Sequence, residues 1–263
     1  ISRAKDELIS PAEYRALGQH MLDVARDDDA RDVAEKALEV AAVYERYEQL
    51  LGQHKLVDFG DLIMKPTLVL EDDPALRESL RIRHRHVLVD EYQDVNRASA
   101  RLLKAIAGDG ERLWVVGDAR QSIYRFRGAS SANMAHFEKD FPRAKRLSLT
   151  KNYRSTHEIV DAYCGFSSGM TASAGMLPLT LVADRGNGAL KPEIRQVEDE
   201  DSEQAAAAAS VEQLRVAGVP LRKQAMLFRS NTQLSEFAAG LEARGIPVLH
   251  LGSLFERDEI RSL

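Results

Sequence analysis

The sequence predicts an α/β fold in which parallel strands alternate with helices. Two short apolar segments, residues 86–89 and 113–117, each run directly into an aspartate, and a helical pattern over about Arg97–Ala107 lies between them. Strands that alternate with helices are typical of parallel sheets with crossover connections. Because such sheets bind ligands at the carboxyl ends of their strands, Asp90 and Asp118 lie where a ligand site is expected.

Composition limits the class of protein. The chain has 263 residues, of which 44% are hydrophobic and 29% are charged, as in ordinary globular proteins. It contains no run of eighteen apolar residues and no signal-peptide core, so we expect no membrane association and a cytoplasmic location. The single cysteine excludes a disulfide scaffold and a cysteine-based metal site.

The charge is unevenly distributed along the chain. The net charge is −5, but residues 77–154 carry +8 between flanks of −8 (residues 1–76) and −5 (residues 155–263). A basic segment between acidic flanks is consistent with a surface that faces a polyanion. Arginines scattered over a solvated surface explain the same numbers equally well, so charge alone leaves both interpretations open.

The first sixty residues predict helices. Ser10 and Glu13 form the pattern of a capping box, with Pro11 at the first helical position. A second helix is predicted from about Ala30 to Leu51, because apolar residues recur there at alternating spacings of four and three. We expect this stripe to face the core rather than a dimer partner; it consists of Val33, Ala37, Val40, Tyr44, Tyr47 and Leu51.

The rest of the chain continues the alternation of strands and helices. We expect Trp114, in the middle of an apolar strand, to lie in the core. Residues 155–158 carry a second capping pattern, and residues 170–188, rich in Gly, Ser and Ala, are predicted to form a loop. The other predicted elements are strands at 146–149, 194–197, 225–228 and 248–251, a helix at about 202–217, and a helix at about 232–244 that ends at Gly245.

The segment Val87–Glu91 has the form of a metal-binding strand of a nucleotide hydrolase. A buried apolar strand would hold Asp90 rigidly at its end, where a carboxylate can bind Mg²⁺ against nucleotide phosphates. Glu91, one residue further on, is placed to orient or deprotonate an attacking water. The alternative interpretation is that Asp90 only caps the following helix.

Five blocks of sequence carry a family resemblance. They are residues 90–94, 117–129 and 149–155, together with residues 57–62 and 252–260. The first three resemble motifs II, III and IV of superfamily one DNA helicases of the UvrD/Rep/PcrA group. The other two resemble blocks that this group carries upstream of motif II and before its accessory insertion. The resemblance covers nearly the whole chain and implies a P-loop NTPase fold with RecA-like sheets flanked by helices.

The resemblance implies ATP and Mg²⁺ as cofactors. Asp90 is then the Mg²⁺ ligand and Glu91 the water-activating acid. Gln121 is implied to sense the γ-phosphate and to couple it to DNA binding. Arg154 is implied to reach the γ-phosphate from the second lobe, and Tyr153 to stack near the adenine. Two alternatives stay open, an ordinary loop amide for Gln121 and a structural ion pair for Arg154.

The same resemblance implies single-stranded DNA as the partner; it indicates no protein partner. Tyr124, Phe126 and Arg127 correspond to strand contacts in the family. Aromatic rings stack on any base, at about 1–3 kcal/mol each, and arginine attracts phosphate. Tyr124 and Phe126 are two residues apart, so on a strand they would share a face and could instead be core.

The phosphate loop of the family is missing from this sequence. No glycine is followed by lysine, so the pattern Gly-x-x-x-x-Gly-Lys-Ser/Thr does not occur. We therefore expect the middle of a longer motor that moves 3′ to 5′, with the isolated chain inactive. We expect residues 1–63 to be a helical insertion segment (1B-like), residues 64–150 the second half of the first RecA-like lobe (1A), and residues 151–263 the start of the second (2A).

Two positions differ from the pattern of the UvrD/Rep branch of the family. Arg120 stands where the UvrD/Rep branch has Asp, and Phe126 where that branch often has Trp, which makes both somewhat closer to the AddA/RecB type. Two other functions are compatible with these residues. One is a non-motor module with a degenerate ATPase fold that binds DNA or a protein. The other is a Mg²⁺ nuclease that uses Asp90, Glu91 and Asp94.

Overall fold

The computed structural model describes residues 1–122, 131–170, 180–188 and 190–249, without the side chains of 131–135. The chain divides into two compact units, Ile1–Pro192 and Glu193–Leu263. Within these described ranges no helix combines the length and the apolar character that a membrane span requires. The elements of the first unit are α1 (Ser2–Asp6), α2 (Pro11–Val24), α3 (Asp28–His54), α4 (Asp61–Asp72), α5 (Pro74–Arg83), β1 (Val87–Val89), α6 (Arg97–Ala107), β2 (Leu113–Val115), α7 (Ser131–Asp140), β3 (Lys151–Asn152), α8 (His157–Ser168) and β4 (Val182–Ala183). The elements of the second unit are α9 (Glu200–Val216) and α10 (Asn231–Ala243).

Helices α2 and α3 pack against each other as the N-terminal part of the first unit. The predicted capping box is confirmed, since the Ser10 side chain accepts from the Glu13 N–H and the Glu13 carboxylate accepts from the Ser10 N–H. The predicted stripe of α3 is only partly correct, because Val33 and Val40 are exposed. The buried face follows small residues that let the helices approach closely; they are Ala34 and Ala41 on α3 and Gly18 on α2.

Strands β1 and β2 pair in parallel, as predicted, with Val87 opposite Leu113. One face of this sheet packs on a core of Tyr92, Leu103 and Phe141. The other face carries the paired residues Leu88 and Trp114, which are 78% and 58% exposed. The prediction that Trp114 lies in the core is therefore wrong. The pleat sends alternate side chains to opposite faces, and the described residues leave this second face open.

Strands β3 and β4 form a second parallel pair, with Lys151 opposite Val182. The strand predicted at 146–149 is wrong, because residues 144–150 form no strand and pairing begins at 151. The partner strand lies inside the segment 170–188, which the sequence predicts to be a loop. A strand exists only where a neighbour accepts its backbone hydrogen bonds, and this local composition does not reveal the neighbour.

The second unit is a helical pair with its own core. Helices α9 and α10 confirm the two predicted helices to within two residues at each end, and Gly245 follows α10 with a φ of +79°. The core consists of Val211, Phe237, Leu241 and Ile246. The strands predicted at 194–197 and 225–228 are not formed, and 248–249 is not a strand either; residues 250–251 lie outside the described part. No pairing partner for these segments is found among the described residues of this unit.

Candidate functional site

Asp90 and Glu91 follow directly from the carboxyl end of β1, and both are exposed. Glu91 has a φ of +52°, in the left-handed region that a non-glycine residue rarely adopts. Its N–H donates to Asp90 Oδ1 at 2.9 Å. Strained backbone of this kind persists where the surroundings hold it, and it clusters at functional sites. The structure thus places two neighbouring carboxylates in solvent at the carboxyl end of β1.

Gln93 links these acids to the end of the second strand. It is only 2% exposed and lies in a short 3₁₀ turn, Tyr92–Asp94. Its Nε2 donates to Glu91 Oε2 at 2.5 Å, and its Oε1 accepts from the Asp118 N–H at 3.0 Å. Gly117 permits this approach, since a Cβ there would lie 3.0 Å from Gln93 Oε1. Gln93 is not among the site residues predicted from the sequence; its position two residues after the acid pair is the signal that could have indicated it.

Asp118 extends the connection to the predicted sensor, Gln121. One oxygen of Asp118, Oδ2, accepts from Gln121 Nε2 at 3.1 Å and from the Tyr163 hydroxyl at 2.7 Å. Burial and the bond to Asp118 raise the pKa of Tyr163 well above its usual range. A continuous path of hydrogen bonds therefore runs from Glu91 through Gln93 and Asp118 to Gln121.

Tyr163 connects helix α8 to this path, and this residue is not among those predicted from the sequence. The segment that leads into α8 carries Tyr153 and Arg154, both exposed. The Arg154 N–H donates to Asn152 Oδ1 at 2.9 Å. Among the contacts of the described residues, neither Tyr153 nor Arg154 touches Asp90 or Glu91. The convergence of these four side chains on one nucleotide stays a prediction.

The predicted single-strand contacts, Tyr124, Phe126 and Arg127, lie outside the described residues, as does the block 252–260. The block 57–62 is described, and it presents an aromatic side chain. Phe59 is 91% exposed in the turn that precedes α4. Phe59 is not among the site residues predicted from the sequence, although a phenylalanine inside a family block is a signal that could have indicated it.

Two family models together match nearly the entire chain. Residues 1–142 match the model described as the UvrD/REP helicase N-terminal domain, and residues 147–263 match the UvrD-like helicase C-terminal domain. The chain belongs to the UvrD/Rep helicase family. This confirms the resemblance that the sequence blocks carry. UvrD-like helicase domains imply a P-loop NTPase fold, with which the helices and small parallel sheets are consistent.

Individual UvrD/Rep relatives are similar along the whole chain. ATP-dependent DNA helicase UvrD2 of Mycobacterium tuberculosis is 35% identical over 266 residues, which are 99% of this chain and 37% of the relative. UvrD1 of the same organism is 35% identical over 100% of this chain and 34% of its own length. PcrA of Bacillus subtilis is 32% identical over 100% of this chain and 34% of its own length. The chain thus spans about a third of the length of these relatives.

Proposed function

We propose that this chain is the central part of an ATP-dependent DNA helicase or translocase that moves 3′ to 5′ on single-stranded DNA in the cytoplasm. Residues 1–63 would be its helical insertion segment, 64–150 the second half of the first lobe and 151–263 the start of the second. The observation that carries the proposal is the bonded path from Glu91 to Gln121. It joins the acid expected to act in hydrolysis to the amide expected to sense phosphate.

The residues at the end of β1 suit Mg²⁺ and ATP. Carboxylate oxygens are the ligands that Mg²⁺ prefers, and two of them are exposed side by side at Asp90 and Glu91. When bound, the metal supplies positive charge that neutralises the phosphate oxygens. Asp90 would hold the metal, and Glu91 would orient a water and accept its proton. Tyr153 and Arg154 contribute a ring for the adenine and a guanidinium for the γ-phosphate.

The amide of Gln121 has two competing acceptors in this proposal. In the structure it donates to Asp118 Oδ2, and a γ-phosphate oxygen would offer a second, more highly charged acceptor. When Gln121 turns to the phosphate it releases Asp118, which keeps its bond from Tyr163. Because Tyr124 and Phe126 follow Gln121 closely in sequence, the change is passed to the segment proposed to hold bases.

Single-stranded DNA is the proposed substrate. Tyr124 and Phe126 would stack on bases, and Arg127 would attract the phosphate backbone. Phe59 is a further stacking candidate, because its ring is almost fully exposed and every base offers a face to an aromatic ring. None of these contacts reads the base sequence, as expected for a motor that moves along any strand.

The hydrolysis step is tested in the full-length protein, with whatever chain precedes Ile1 and follows Leu263. Glu91→Gln should still bind a fluorescent ATP analogue and should release phosphate at least a hundredfold more slowly, since it keeps the shape and loses the base. Asp109→Asn, at an exposed loop acid paired with Arg143, is the matched control and should turn over normally. Normal turnover in Glu91→Gln would remove that residue from its proposed role.

A non-motor module with a degenerate ATPase fold is the alternative, and the lack of a Gly-Lys step in this sequence favours it. It predicts that the full-length protein binds single-stranded DNA or a protein without any ATP turnover. Cleavage of DNA that needs Mg²⁺ but no ATP, and that disappears in Asp90→Ala, would instead point to a nuclease.

A further inference from the structure

The ammonium group of Lys5 is completely buried among carboxylates. Its Nζ lies 2.8 Å from Asp61 Oδ1, 2.9 Å from Asp58 Oδ2 and 2.5 Å from Glu48 Oε1. The three acids have oxygens within 4.8 Å of one another, a spacing that would also suit a metal ion. Here the cation is supplied by the chain itself. We call Lys5, Tyr47, Glu48, Asp58 and Asp61 the lysine cluster.

Lys5, Asp58 and Asp61 of the lysine cluster stay charged at neutral pH. Burial alone would lower the pKa of Lys5, but its bonds to Asp61, Glu48 and Asp58 outweigh burial and raise it. Burial would likewise raise the pKa values of Asp58 and Asp61, and their bonds to Lys5 lower them instead. The half-exposed Lys65 adds a second ammonium, 2.8 Å from Asp61 Oδ2. Lysine is almost never buried unless it is paired in this way.

The lysine cluster fixes the turn before α4 from two directions. Asp58 accepts from the Tyr47 hydroxyl at 3.0 Å, so α3 holds one end of the turn. Asp61 accepts from Lys5 of α1 and donates its N–H to Asp58 Oδ1 at 2.8 Å. At Gly60 a Cβ would lie 2.9 Å from Lys5 Cδ, so the lysine stem runs directly against the backbone of the turn.

Phe59 lies between these fixed residues, yet its own side chain is 91% exposed. A ring on an immobilised backbone loses less conformational entropy when it binds a ligand than a ring on a flexible loop does. We propose that Lys5 is a positioning residue for DNA binding, because its buried ammonium holds Asp58 and Asp61 and so fixes the turn that presents Phe59 to a single strand. This inference rests on the proposed function, in which Phe59 stacks on bases.

The test is a double-mutant cycle in the full-length protein. The variants are Phe59→Ala, Lys5→Met and the combination, and the probe is a fluorescein-labelled oligothymidine read by anisotropy. Phe59→Ala should weaken binding about 5- to 150-fold, the range for loss of one stacked base. Lys5→Met should weaken binding by a similar factor. The combination should bind no more weakly than Phe59→Ala alone, because both changes remove the same contact.

Matched controls come from exposed positions of the same types. Phe166→Ala removes a ring that is 77% exposed on α8, and Lys36→Met removes an exposed lysine on α3. Both should leave DNA affinity within about twofold, because surface substitutions of this kind have small effects. Hydrogen exchange of the peptide 56–62 should become faster in Lys5→Met and stay unchanged in Lys36→Met.

Three results would overturn the positioning role without refuting the proposed function. Lys5→Met could bind as tightly as wild type while Phe59→Ala binds weakly, or the losses of the two changes could multiply in the combination, as independent structural damage predicts. Normal affinity in Phe59→Ala would also overturn it, while leaving the motor intact if ATP turnover persists. Failure of the wild-type protein to bind the oligonucleotide would instead refute the proposed function.

A milder variant covers the case in which Lys5→Met does not fold. Tyr47→Phe removes only the hydroxyl that donates to Asp58 and leaves all charges in place. It should weaken DNA binding by a smaller factor, about 3- to 10-fold, because only part of the free energy of one hydrogen bond to a charged group affects DNA affinity. In the Phe59→Ala background this further loss should disappear. Persistence of the full loss in that background would contradict the positioning role.

Discussion

Replacement of Lys5 by methionine should lower the free energy of local unfolding around α1, α3 and α4. It should also change how that free energy depends on pH. Methionine keeps most of the volume of the lysine stem and removes the ammonium that balances Glu48, Asp58 and Asp61. Breaking a buried ion pair by removing one partner costs about 3–5 kcal/mol, because the remaining charge is uncompensated. Two of the acids keep some solvent contact and Lys65 stays in place, so we expect about 3 kcal/mol.

The sign of the pH effect follows from the pKa directions. In the wild type the pKa values of Asp58 and Asp61 are lowered, so their contribution is present above the unfolded value near 4 and is lost as the pH falls through the folded values. The raised pKa of Lys5 adds stability below about pH 10.4 that is lost as the pH rises through its folded value. Without Lys5 the buried carboxylates favour protonation, so lowering the pH from 7 to 5 should stabilise the variant.

Hydrogen exchange measures this effect locally in the full-length protein. A cost of about 3 kcal/mol corresponds to about 150-fold faster opening of the peptide 56–66 at pH 7. After correction for intrinsic exchange rates, the difference in opening of this peptide between Lys5→Met and wild type should be smaller at pH 5 than at pH 7. Lys36→Met, at an exposed lysine of α3, should match wild type at both values. If Lys5→Met speeds opening of this peptide by less than about fivefold, or by the same factor at pH 7 and pH 5, the Lys5 ammonium does not stabilise the turn through Asp58 and Asp61.

Three further changes test the site and the two units. Gln93→Met removes the donor to Glu91. A hydrogen bond to a charged group is worth about 1.5–3 kcal/mol, so ATP turnover of the full-length protein should fall at least tenfold in a steady-state assay. A change of less than twofold would contradict the coupling between Gln93 and Glu91. Leu241→Ala, in the core of the second unit, should lower the free energy of unfolding by about 2–5 kcal/mol in a denaturant titration. Leu227→Ala, at an exposed site, should lower it by less than about 0.5 kcal/mol. Equal losses in the two variants would refute the assignment of that core. Ser10→Ala breaks the capping box and should destabilise α2 by about 1 kcal/mol. This loss should be visible as faster hydrogen exchange in the first turn of α2. Unchanged exchange there would contradict a stabilising role of the capping box.

Local patterns predicted a large part of the fold. Helices α2, α3, α6, α9 and α10 follow from caps and periodicity that act within a few residues. The parallel pairing of β1 with β2 follows from the apolar segments that flank α6. The strands predicted at 146–149, 194–197 and 225–228 do not form, because strand formation depends on distant segments and not on local sequence. An apolar tetrapeptide becomes a strand only if another segment pairs with it.

The candidate site divides in the same way. Asp90, Glu91 and Gln121 were accessible to sequence analysis, because an acid pair after an apolar strand and an amide in a family block are visible in a linear pattern. Gln93 was not singled out, since its importance comes from a burial and two bonds that join distant strand ends.

The amino-acid order alone determined where the acids stand, which helices begin and end at local caps, and to which helicase family the chain belongs. Each of these properties depends on neighbours in sequence or on blocks that can be compared directly. Only the folded arrangement decided that Lys5 is enclosed by three acids, that Trp114 faces outward and that Tyr163 reaches Asp118. Those outcomes depend on which distant segments meet, because the free energy of a buried charge or an apolar ring is set by the groups around it.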